Sequence, residues 1–352
     1  MKEVNFRYLS QEDVIECGGL DMSSTLKDVE KGTVMVYKGD AIEASTGTIF
    51  WDTPEDKKHI SVGYPAKKRI NFHGAYLGGD IDIAGTKNIP SSLDNPIKRN
   101  MPRASGLITL VSSETGYPFA LMDAVIISHM RTGALAGMGA KYLAPRGPYV
   151  VGLIGAGPIN RTALMALKES LKQFELVKIF DLRRERAIAF RDKMTEELHL
   201  NIKVVPSAEE AVRESDVIVP ATTVASLDEA YIEYDWLKRG CLLCDLSVFD
   251  EKLDVFQKAD KLVVNTSLTL KRTNLIPGAL IAEGSFTEDR FIDLGGIIEG
   301  DIQGRQKEDE IIVYFSRGMA VYDVINAYRV NNIAEEKGIG KTLSLWKEPF
   351  WY

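Results

Sequence analysis

The sequence is poor in cysteine, has no excess of positive charge and lacks long apolar runs. Three cysteines among 352 residues argue against a disulfide framework and favour a reducing compartment, the cytoplasm. The formal net charge of -7 argues against nucleic acid or an anionic membrane as a partner. No apolar run reaches the about 18 residues of a membrane-spanning helix, and charges interrupt the first residues too often for a signal peptide. A soluble globular protein is expected.

Two of the cysteines form a C-x-x-C pair, Cys241 and Cys244, but no second pair follows at the spacing of a zinc finger. They lie in the apolar run CLLCDLSV, which predicts a buried strand. The simplest interpretation is that they fill the core, with a redox or metal role as the alternative. No metal site, internal repeat or low-complexity segment is predicted.

The first part of the chain mixes short strands with loops rich in glycine, proline and asparagine, which predicts antiparallel pairing. The run TVMVYKG at 33–39 is rich in β-branched residues and predicts a strand. The segment at 119–144 predicts one helix, which begins after Asp123 as its N-cap. Near the end, IIVYF predicts a strand and 318–338 a helix, followed by a tail without assigned structure.

From residue 149 onward, apolar runs alternate with helical patterns, which predicts a parallel sheet with right-handed crossovers. The fold class is therefore α/β, with a doubly wound parallel sheet of Rossmann type. We place this nucleotide-binding domain at 130–317. Residues 1–129 and 318–352 would form a second, α+β domain from the two chain ends.

The turn GAGPIN, at 155–160, follows a predicted strand and opens a predicted helix. Gly155 would allow the tight turn, Gly157 the close approach of a pyrophosphate, and Pro158 suits a first helical position. Asn160 stands where the third glycine of the usual pattern is expected, which weakens the motif. Asp181, at the end of the next strand, would bind the ribose hydroxyls. The turn therefore predicts a dinucleotide.

The acidic residue Asp181 favours NAD over NADP, since a carboxylate repels a 2′-phosphate. Arg183 and Arg184 weaken that preference, although they are also compatible with a solvated helix start. The residues expected to bind the cofactor around the turn are Gly155, Gly157, Pro158, Ile159, Asn160, Asp181 and Arg183.

The first domain carries the cations that a dehydrogenase of small anions needs to hold carboxylates. Arg131 is the most informative, because it sits in HMRTGALAG, an otherwise small and apolar helix, where an unpaired arginine would be costly. Lys98, by contrast, is compatible with a surface cation. The residues alone thus indicate a two-domain oxidoreductase that uses NAD.

Three separated segments resemble the ornithine cyclodeaminase/mu-crystallin family. They are FALMDAVIISHMRTGALAGMGAKYLA, the GAGPIN turn and GRQKEDEIIVYFSRGMAVYDVINAY. The last is similar to the family pattern G-R-x-x-x-x-E-I-T-V-F-D-S-x-G-x-A-x-x-D. The resemblance covers roughly residues 60–345 and implies a Rossmann domain plus a substrate-binding and dimerisation domain, hence a homodimer.

The resemblance also implies roles for single residues. The carboxylate-binding arginines of the family match Arg69 and Arg131, its active-site lysine matches Lys87, and its catalytic aspartate is best matched by Asp250. Further cofactor contacts are implied at Thr222, Thr223, Ser247, Gly318 and Met319. A run similar to G-G-D-C-P-G-K-T-E-L, typical of ornithine cyclodeaminases, is absent, which disfavours ornithine cyclisation.

The stretch DNPIKRNMPRASG is similar to a subgroup of the family that forms 2,3-diaminopropionate for siderophore synthesis. It adds Arg99 and Arg103, and the substrate of that subgroup has three carboxylates. The implied reaction is NAD-dependent oxidation and hydrolysis of N-(2-amino-2-carboxyethyl)-L-glutamate to 2,3-diaminopropionate and 2-oxoglutarate. An ornithine or lysine cyclodeaminase, another amino-acid or opine dehydrogenase, and a non-enzymatic ligand-binding protein remain as alternatives.

Overall fold

Both ends of the chain contribute to one folding unit, and the middle of the chain forms another. The computed structural model describes residues 3–51, 68–224, 226–272 and 275–351. Within these ranges, unit 1 comprises residues 3–51, 68–131 and 318–351, and unit 2 comprises the described residues of 132–317. None of the described helices is long and apolar enough to cross a membrane.

Unit 1 consists of a mixed sheet and the helices that pack on it. Its strands are β1 (Val4–Leu9), β2 (Ala41–Glu43), β3 (Gly47–Phe50), β4 (Lys68–Leu77), β5 (Ile83–Ser92), β6 (Leu107–Ser112), β7 (Pro118–Asp123) and β16 (Lys341–Trp346). Its helices are α1 (Gln11–Val14), α2 (Met22–Lys38), the start of α3 (Val125–Leu143) and α10 (Ala320–Lys337). Wider helical turns span Ile15–Gly19 and Asn95–Arg99.

The described strands of unit 1 follow the order β16-β1-β7-β6-β5-β4-β2, and β3 also pairs with β4. All of these pairs are antiparallel except β1 with β7. In the central pair, His73 of β4 lies opposite Lys87 of β5, and Arg69 lies opposite Ser91. Cross-strand partners share a face of the sheet, as do alternate residues of a strand. Arg69 and Lys87 therefore lie on one face.

Unit 2 consists of a parallel sheet and its crossover segments. Its strands are β8 (Tyr149–Ile154), β9 (Phe174–Phe180), β10 (Ile202–Val204), β11 (Val217–Pro220), β12 (Leu242–Asp245), β13 (Lys261–Val264), β14 (Phe291–Asp293) and β15 (Ile312–Phe315). Its helices are α4 (Pro158–Ser170), α5 (Arg184–Leu198), α6 (Ala208–Val212), α7 (Leu253–Lys258), α8 (Ile276–Ala282) and α9 (Leu294–Glu299), plus the end of α3. Short 3₁₀ turns span Leu227–Glu229, Tyr234–Trp236, Ser267–Lys271 and Glu288–Arg290.

The strand order of unit 2 is β10-β9-β8-β11-β12-β15-β13-β14, and every pair is parallel. The chain leaves β8 toward β9 on one side, while β11 joins β8 on the other side. Such a switch point is where open α/β sheets bind dinucleotides, at the carboxyl ends of the strands. The predicted α/β class with a Rossmann sheet is confirmed.

One local prediction is wrong, and one segment without a prediction contains a strand. The run at 33–39 is not a strand, because α2 continues through Lys38. The Thr33 hydroxyl donates to Val29 O (2.9 Å) and shares a hydrogen bond with the Tyr322 hydroxyl (3.1 Å), so packing on α10 stabilises helix in spite of the β-branched side chains. The C-terminal tail is also not irregular, since β16 pairs with β1 at the other end of the chain.

Candidate substrate and cofactor sites

Unit 1 buries a lysine and an arginine around a single carboxylate. Lys87 Nζ lies 2.6 Å from Asp323 Oδ2, and Arg131 Nε donates to Asp323 Oδ1 at 2.9 Å. Lys87, Arg131 and Asp323 are 1%, 8% and 0% exposed. Lys87 Nζ also donates to Ser128 Oγ at 3.4 Å. Two cations thus share one anion in a site that water barely reaches.

The position of Asp323 is set by the start of α10. The Glu43 carboxylate accepts hydrogen bonds from the backbone N–H groups of Ala320 (2.9 Å) and Val321 (3.1 Å). It thereby satisfies two of the donors that a helix start leaves unpaired. Asp323 lies in that first turn, where the helix dipole stabilises a negative charge.

Gly318 precedes α10 and leaves room for the Arg131 guanidinium. A Cβ at this position would lie 2.2 Å from Arg131 Nη1, so any side chain would displace the arginine. Met319 follows as the N-cap residue of α10 and is buried. Both residues are predicted cofactor contacts, and the structure places Gly318 directly against a predicted substrate arginine.

The charges in this site shift the protonation of Lys87. Burial, and then the charge of Arg131, lower the pKa of Lys87 to about 8, although Asp323 opposes this change. Burial alone would raise the pKa of Asp323, but Arg131 and Lys87 together lower it below its ordinary value. Near neutral pH the site can therefore hold a lysine that gives up its proton readily, beside a firmly ionised aspartate.

Arg69 and Arg103 form a second, unneutralised group of positive charge in unit 1. Both side chains are half-buried, and burial lowers the pKa of each. The charge of Arg69 lowers the pKa of Arg103 further, so the two cations act on each other. Among the described residues, neither guanidinium has a hydrogen-bond or ion-pair partner. Two half-buried cations without a counter-ion suit an anionic ligand.

Arg99 and Arg103 line one surface pocket of unit 1. The pocket has a volume of about 290 Å³ and is also lined by Lys68, Asn95 and Trp51. Arg99 is exposed, and its Nη1 donates to Asn95 Oδ1 at 3.3 Å. Lys98, which precedes it, does not belong to the lining and pairs with Asp94 at 2.8 Å. The structure thus brings together the two extra arginines of the DNPIKRNMPRASG stretch.

In unit 2, the GAGPIN turn joins β8 to α4. Gly155 has φ +95°, and a Cβ there would lie 2.6 Å from Ala221 O, so both the backbone and the neighbouring strand require glycine. Gly157 is the N-cap residue of α4, Pro158 opens the helix and Ile159 follows it. Nothing lies within 4 Å of a Cβ built on Gly157. This open space at a helix N-terminus fits a pyrophosphate.

Asn160 takes over part of the role of the missing third glycine. Its side chain is 0% exposed, and Nδ2 donates to Ile154 O (2.8 Å) and Gly155 O (2.7 Å). The amide therefore ties the first turn of α4 to the end of β8. A glycine allows a helix to approach a strand, whereas this asparagine joins the two by hydrogen bonds. Sequence reasoning treated the residue as a weakness of the motif.

Asp181 follows β9 and contacts the same turn. Its Oδ2 accepts from Ala156 N (2.8 Å), and its Oδ1 accepts from Arg183 N (2.9 Å). The carboxylate is thus held beside the glycine-rich turn, as a ribose ligand must be. The Arg183 and Arg184 side chains are exposed at the start of α5.

Asp250 is held from one side by two hydroxyl groups. The Thr222 hydroxyl (2.5 Å) and the Tyr231 hydroxyl (2.7 Å) both donate to its Oδ1. Burial and the negative charge of Asp250 raise the pKa of Tyr231 far above its ordinary value, so this phenol keeps its proton. Asp250 Oδ2 is buried and has no hydrogen-bond partner among the described residues. One oxygen is therefore fixed, while the other keeps its accepting capacity.

The remaining predicted residues near the switch point differ in their surroundings. Thr223 is exposed, whereas Ser247 is buried and donates to Pro220 O at 3.1 Å. Cys241 and Cys244 are buried and reduced. Burial raises the pKa of Cys241 to about 12 and raises that of Cys244 as well. Thiols that hold their protons so firmly are poor nucleophiles and metal ligands, in agreement with the interpretation as core residues.

Sequence reasoning missed a group of charged residues near Asp250. Asp245 ends β12, and its Oδ2 accepts from Arg317 Nη2 at 2.8 Å. Glu251 follows Asp250 and is fully buried. Asp323 in unit 1 was missed too, although it is the final aspartate of the quoted family pattern. The family pattern could have identified Asp323. For Asp245 and Glu251, the sequence offered only their position at or after the end of an apolar strand.

A sequence model described as the ornithine cyclodeaminase/mu-crystallin family matches residues 21–338. Over 341 residues, the chain is 34% identical to N-((2S)-2-amino-2-carboxyethyl)-L-glutamate dehydrogenase of Staphylococcus aureus. This match covers 96% of the present chain and 98% of the relative.

Solved structures agree over nearly the whole chain. The Δ¹-pyrroline-2-carboxylate reductase of Thermococcus litoralis, solved with NADH and L-proline, has a TM-score of 0.82 at 28% identity and covers 96% of this chain and 99% of its own. An archaeal alanine dehydrogenase dimer with bound NAD has a TM-score of 0.83 at 26% identity, with coverages of 97% and 100%. The fold is thus shared with dinucleotide-binding proteins from end to end.

Proposed function

Because this chain belongs to the ornithine cyclodeaminase/mu-crystallin family, we propose that it oxidises N-(2-amino-2-carboxyethyl)-L-glutamate with NAD. The products would be 2,3-diaminopropionate, 2-oxoglutarate and NADH. At the level of its class, the protein is an NAD-dependent oxidoreductase that acts on the CH–NH group of an amino-acid-like molecule. The exact substrate is the finer part of the proposal.

One observation supports a substrate with several carboxylates. Arg69 and Arg103 are half-buried and have no acidic partners in the described part of the chain. A substrate with a single carboxylate would leave one of them without a counter-ion. A tricarboxylate can supply one carboxylate to Arg69 and Arg131 and its distal carboxylates to the pocket at Arg99 and Arg103, and each charge-assisted hydrogen bond contributes about 1.5–3 kcal/mol.

The residues of unit 2 fit NAD. Gly157 leaves space at the start of α4 for the pyrophosphate, and Asp181 is held where it can accept the ribose hydroxyls. Thr222, Thr223 and Ser247 are assigned to the nicotinamide end, since they lie beyond the ends of β11 and β12. The cofactor supplies hydride acceptance, and the protein supplies binding and orientation.

The protein residues then have separate tasks. Arg69 and Arg131 hold the α-carboxylate of the glutamate part, which orients its Cα–H. Lys87, with a pKa of about 8, accepts or donates a proton at the substrate nitrogen. Asp250 holds the amine through Oδ2 and activates the water that hydrolyses the C=N bond. Arg99 and Arg103 bind the distal carboxylates.

The test is to incubate the purified protein with the conjugate and NAD and to follow NADH absorbance and 2-oxoglutarate. We expect NADH and 2-oxoglutarate in equal amounts. A folded protein that binds NAD but forms no NADH from the conjugate would refute the proposal. NADP in place of NAD should give a much lower kcat/KM, because Asp181 repels a 2′-phosphate.

A panel of ornithine, lysine, alanine and proline tests the other members of the family. A cyclodeaminase would consume ornithine or lysine without net NADH formation, whereas an amino-acid dehydrogenase would form NADH from its own substrate. A ligand-binding protein would bind the dinucleotide without turnover. The unpartnered arginines favour the conjugate over these smaller amino acids.

We also propose a homodimer and a cytoplasmic location. Ile42, Ile49, Phe50 and Phe72 are exposed along β2, β3 and β4, where the described sheet ends. An apolar sheet edge of this kind is typical of an interface, and the archaeal neighbour is a dimer. Light scattering should give twice the chain mass, and Ile49→Glu should reduce it to one chain. A monomeric wild type would contradict the proposal.

The reduced, buried cysteines are compatible with the cytoplasm.

A further inference from the structure

Unit 2 buries three carboxyl groups around one guanidinium. Asp245, Asp250 and Glu251 are each 0% exposed, and Arg317 is 7% exposed. Arg317 directs its hydrogen bonds to Asp245, from Nη2 to Oδ2 (2.8 Å) and from Nη1 to the backbone oxygen (3.1 Å). Asp250 accepts hydrogen bonds from the hydroxyl groups of Thr222 and Tyr231. Glu251 is left without a donor.

The same cluster concentrates buried polar atoms that lack hydrogen bonds. Within the described part of the chain, these atoms are Glu251 Oε1, Glu251 Oε2, Asp250 Oδ2, Asp245 Oδ1 and Arg317 Nε. An ionised carboxylate without donors is among the costliest groups to bury, and proteins avoid the cost by keeping it protonated. A buried carboxylic acid also supplies a proton that a neighbouring carboxylate can accept.

The charges that act on Glu251 explain why it would hold a proton. They belong to Asp245 at the end of β12, Asp250 next to it in the chain and Arg317 after β15, and Glu251 in turn acts on the Tyr231 hydroxyl. Burial first, and then the charges of Asp245 and Asp250, raise the pKa of Glu251 well above its ordinary value, while Arg317 opposes them. No described group of three or more His, Cys, Asp or Glu residues has the arrangement of a metal site. The neutralising species is therefore a proton.

We propose that Glu251 is a neutral carboxylic acid in the resting protein. Asp245 is paired with Arg317, so a neutral Glu251 leaves Asp250 as the carboxyl group of the cluster that exchanges protons during turnover. Glu251 is thus a positioning residue that acts through Asp250.

The proposed function gives this proton a role, and this step depends on that function. Neutral Lys87 accepts the proton when the N–H bond of the substrate ammonium breaks, which frees the nitrogen lone pair before the hydride leaves Cα for NAD. When water adds to the C=N bond, one O–H bond of the water breaks and an O–H bond forms on Asp250. That O–H bond then breaks and an N–H bond forms on the departing amine as its C–N bond breaks, while the remaining hydroxyl proton passes from the new carbonyl group to the released amine. The proton is returned, so the cluster ends the cycle as it began.

The first test needs no substrate. When a carboxyl group has a higher pKa in the folded protein than in the unfolded chain, the free energy of unfolding falls as pH rises from the lower pKa to the higher one. Urea unfolding at several pH values measures how the free energy of unfolding changes with pH. We expect Glu251→Gln to reduce this slope by the contribution of one proton. Glu336→Gln, on the exposed end of α10, is the matched control and should keep the slope.

Parallel slopes for Glu251→Gln and the wild type would overturn the proposal. A glutamine variant that fails to fold at neutral pH would overturn it too, because glutamine is the neutral isostere of the proposed state. Infrared spectra should show a protonated carboxyl band in the wild type and in Glu336→Gln, but not in Glu251→Gln.

A second test addresses the coupling with Asp250. Asp250→Asn removes one neighbouring negative charge, so Glu251 should ionise more easily and the stability slope should move to lower pH. An unmoved slope would show that Asp250 and Glu251 do not influence each other, and it would overturn the positioning role of Glu251.

A third test uses turnover. Glu251→Ala should lower kcat about tenfold or more, and Glu251→Gln should recover most of that loss, because the neutral state is what Asp250 requires. If Glu251→Asp recovers activity and Glu251→Gln does not, a negative charge is needed and the proposal is wrong. Absence of turnover by the wild type would refute the proposed function instead, while the stability and infrared tests would still decide the state of Glu251.

Discussion

Each unit of this protein buries a charged cluster, and the two clusters are unbalanced in opposite directions. In unit 1, the single carboxylate of Asp323 serves Lys87 and Arg131. In unit 2, three carboxyl groups are buried, and the guanidinium of Arg317 pairs with one of them, Asp245. The surplus positive charge of unit 1 suits an anionic substrate. The surplus negative charge of unit 2 is relieved by a proton.

The comparison shows that burial has different consequences for the two signs of charge. An arginine keeps its charge in a protein, so unit 1 can lose charge only through Lys87. A carboxyl group becomes neutral by binding a proton, so each acid of unit 2 can adjust. The charge of unit 1 therefore changes with pH at one residue, Lys87, whereas in unit 2 each buried carboxyl group can change its charge with pH.

Replacing Lys87 should have the greatest effect on turnover. Lys87→Met removes the group that exchanges a proton with the substrate, and we expect kcat to fall by about 10²–10⁴-fold. In the wild type, kcat/KM should rise with pH to a plateau above about 8, as Lys87 becomes neutral. Steady-state kinetics across pH check both expectations. Lys98→Met is the control, since Lys98 is an exposed residue paired with Asp94. If Lys87→Met keeps an activity within threefold of the wild type, the role assigned to Lys87 is wrong.

Removing the shared anion of unit 1 should cost the most stability. Asp323→Asn leaves Lys87 and Arg131 buried without a negative partner, which destabilises proteins by about 3–5 kcal/mol. Urea unfolding measures the change. Asp80→Asn breaks an exposed contact with Lys31 and should leave the unfolding midpoint unchanged. A midpoint for Asp323→Asn that matches this control would mean that the cluster of unit 1 contributes little.

The corresponding change in unit 2 should depend on pH. Arg317→Met leaves Asp245 without its partner, but a proton can replace the guanidinium. Asp245 should then bind this proton more tightly in the folded state, so the destabilisation should grow by about 1.4 kcal/mol per pH unit above about 6, the value to which burial raises the pKa of Asp245 in the wild type. Unfolding at pH 5 and pH 8 tests this. Equal destabilisation at the two pH values would show that the two units respond alike.

A smaller effect is expected at the pocket of unit 1. Arg103→Leu should raise KM for the conjugate by roughly 10- to 100-fold, the equivalent of one charge-assisted hydrogen bond, with little change in kcat. Stability should not fall, because the variant relieves the repulsion from Arg69. Arg99→Leu, at an exposed position, should raise KM less. An unchanged KM in Arg103→Leu would place the distal carboxylates elsewhere.

Local sequence patterns were sufficient for much of the fold. The alternation of apolar strands and helices after residue 149 predicts the parallel sheet of unit 2, because each crossover is short and local. The strand prediction at 33–39 failed since it weighed only β-branched side chains, whereas Thr33 packs on Tyr322 near the other end of the chain. β16 was missed for the same reason, because its partner is β1.

The chemistry of the sites divides in the same way. Arg131, the GAGPIN turn and Asp181 are recognisable in the sequence, because a charged residue in an apolar segment or a glycine between strand and helix carries its own signal. Lys87 is recognisable only through the resemblance to the family. The neighbours of these residues carry none. Asp323 lies far from Lys87 in the chain, and Arg317 far from Asp245, yet each pair is in direct contact.

Residue types and their spacing thus specify which chemical groups this protein has and the sheet that carries its nucleotide turn. Folding specifies their protonation, because the pKa of a buried group depends on the charges and hydrogen bonds packed around it. Lys87 has an ordinary side chain whose pKa falls to about 8 through burial and Arg131. Asn160 becomes a link between α4 and β8 only when its amide reaches Ile154 O and Gly155 O.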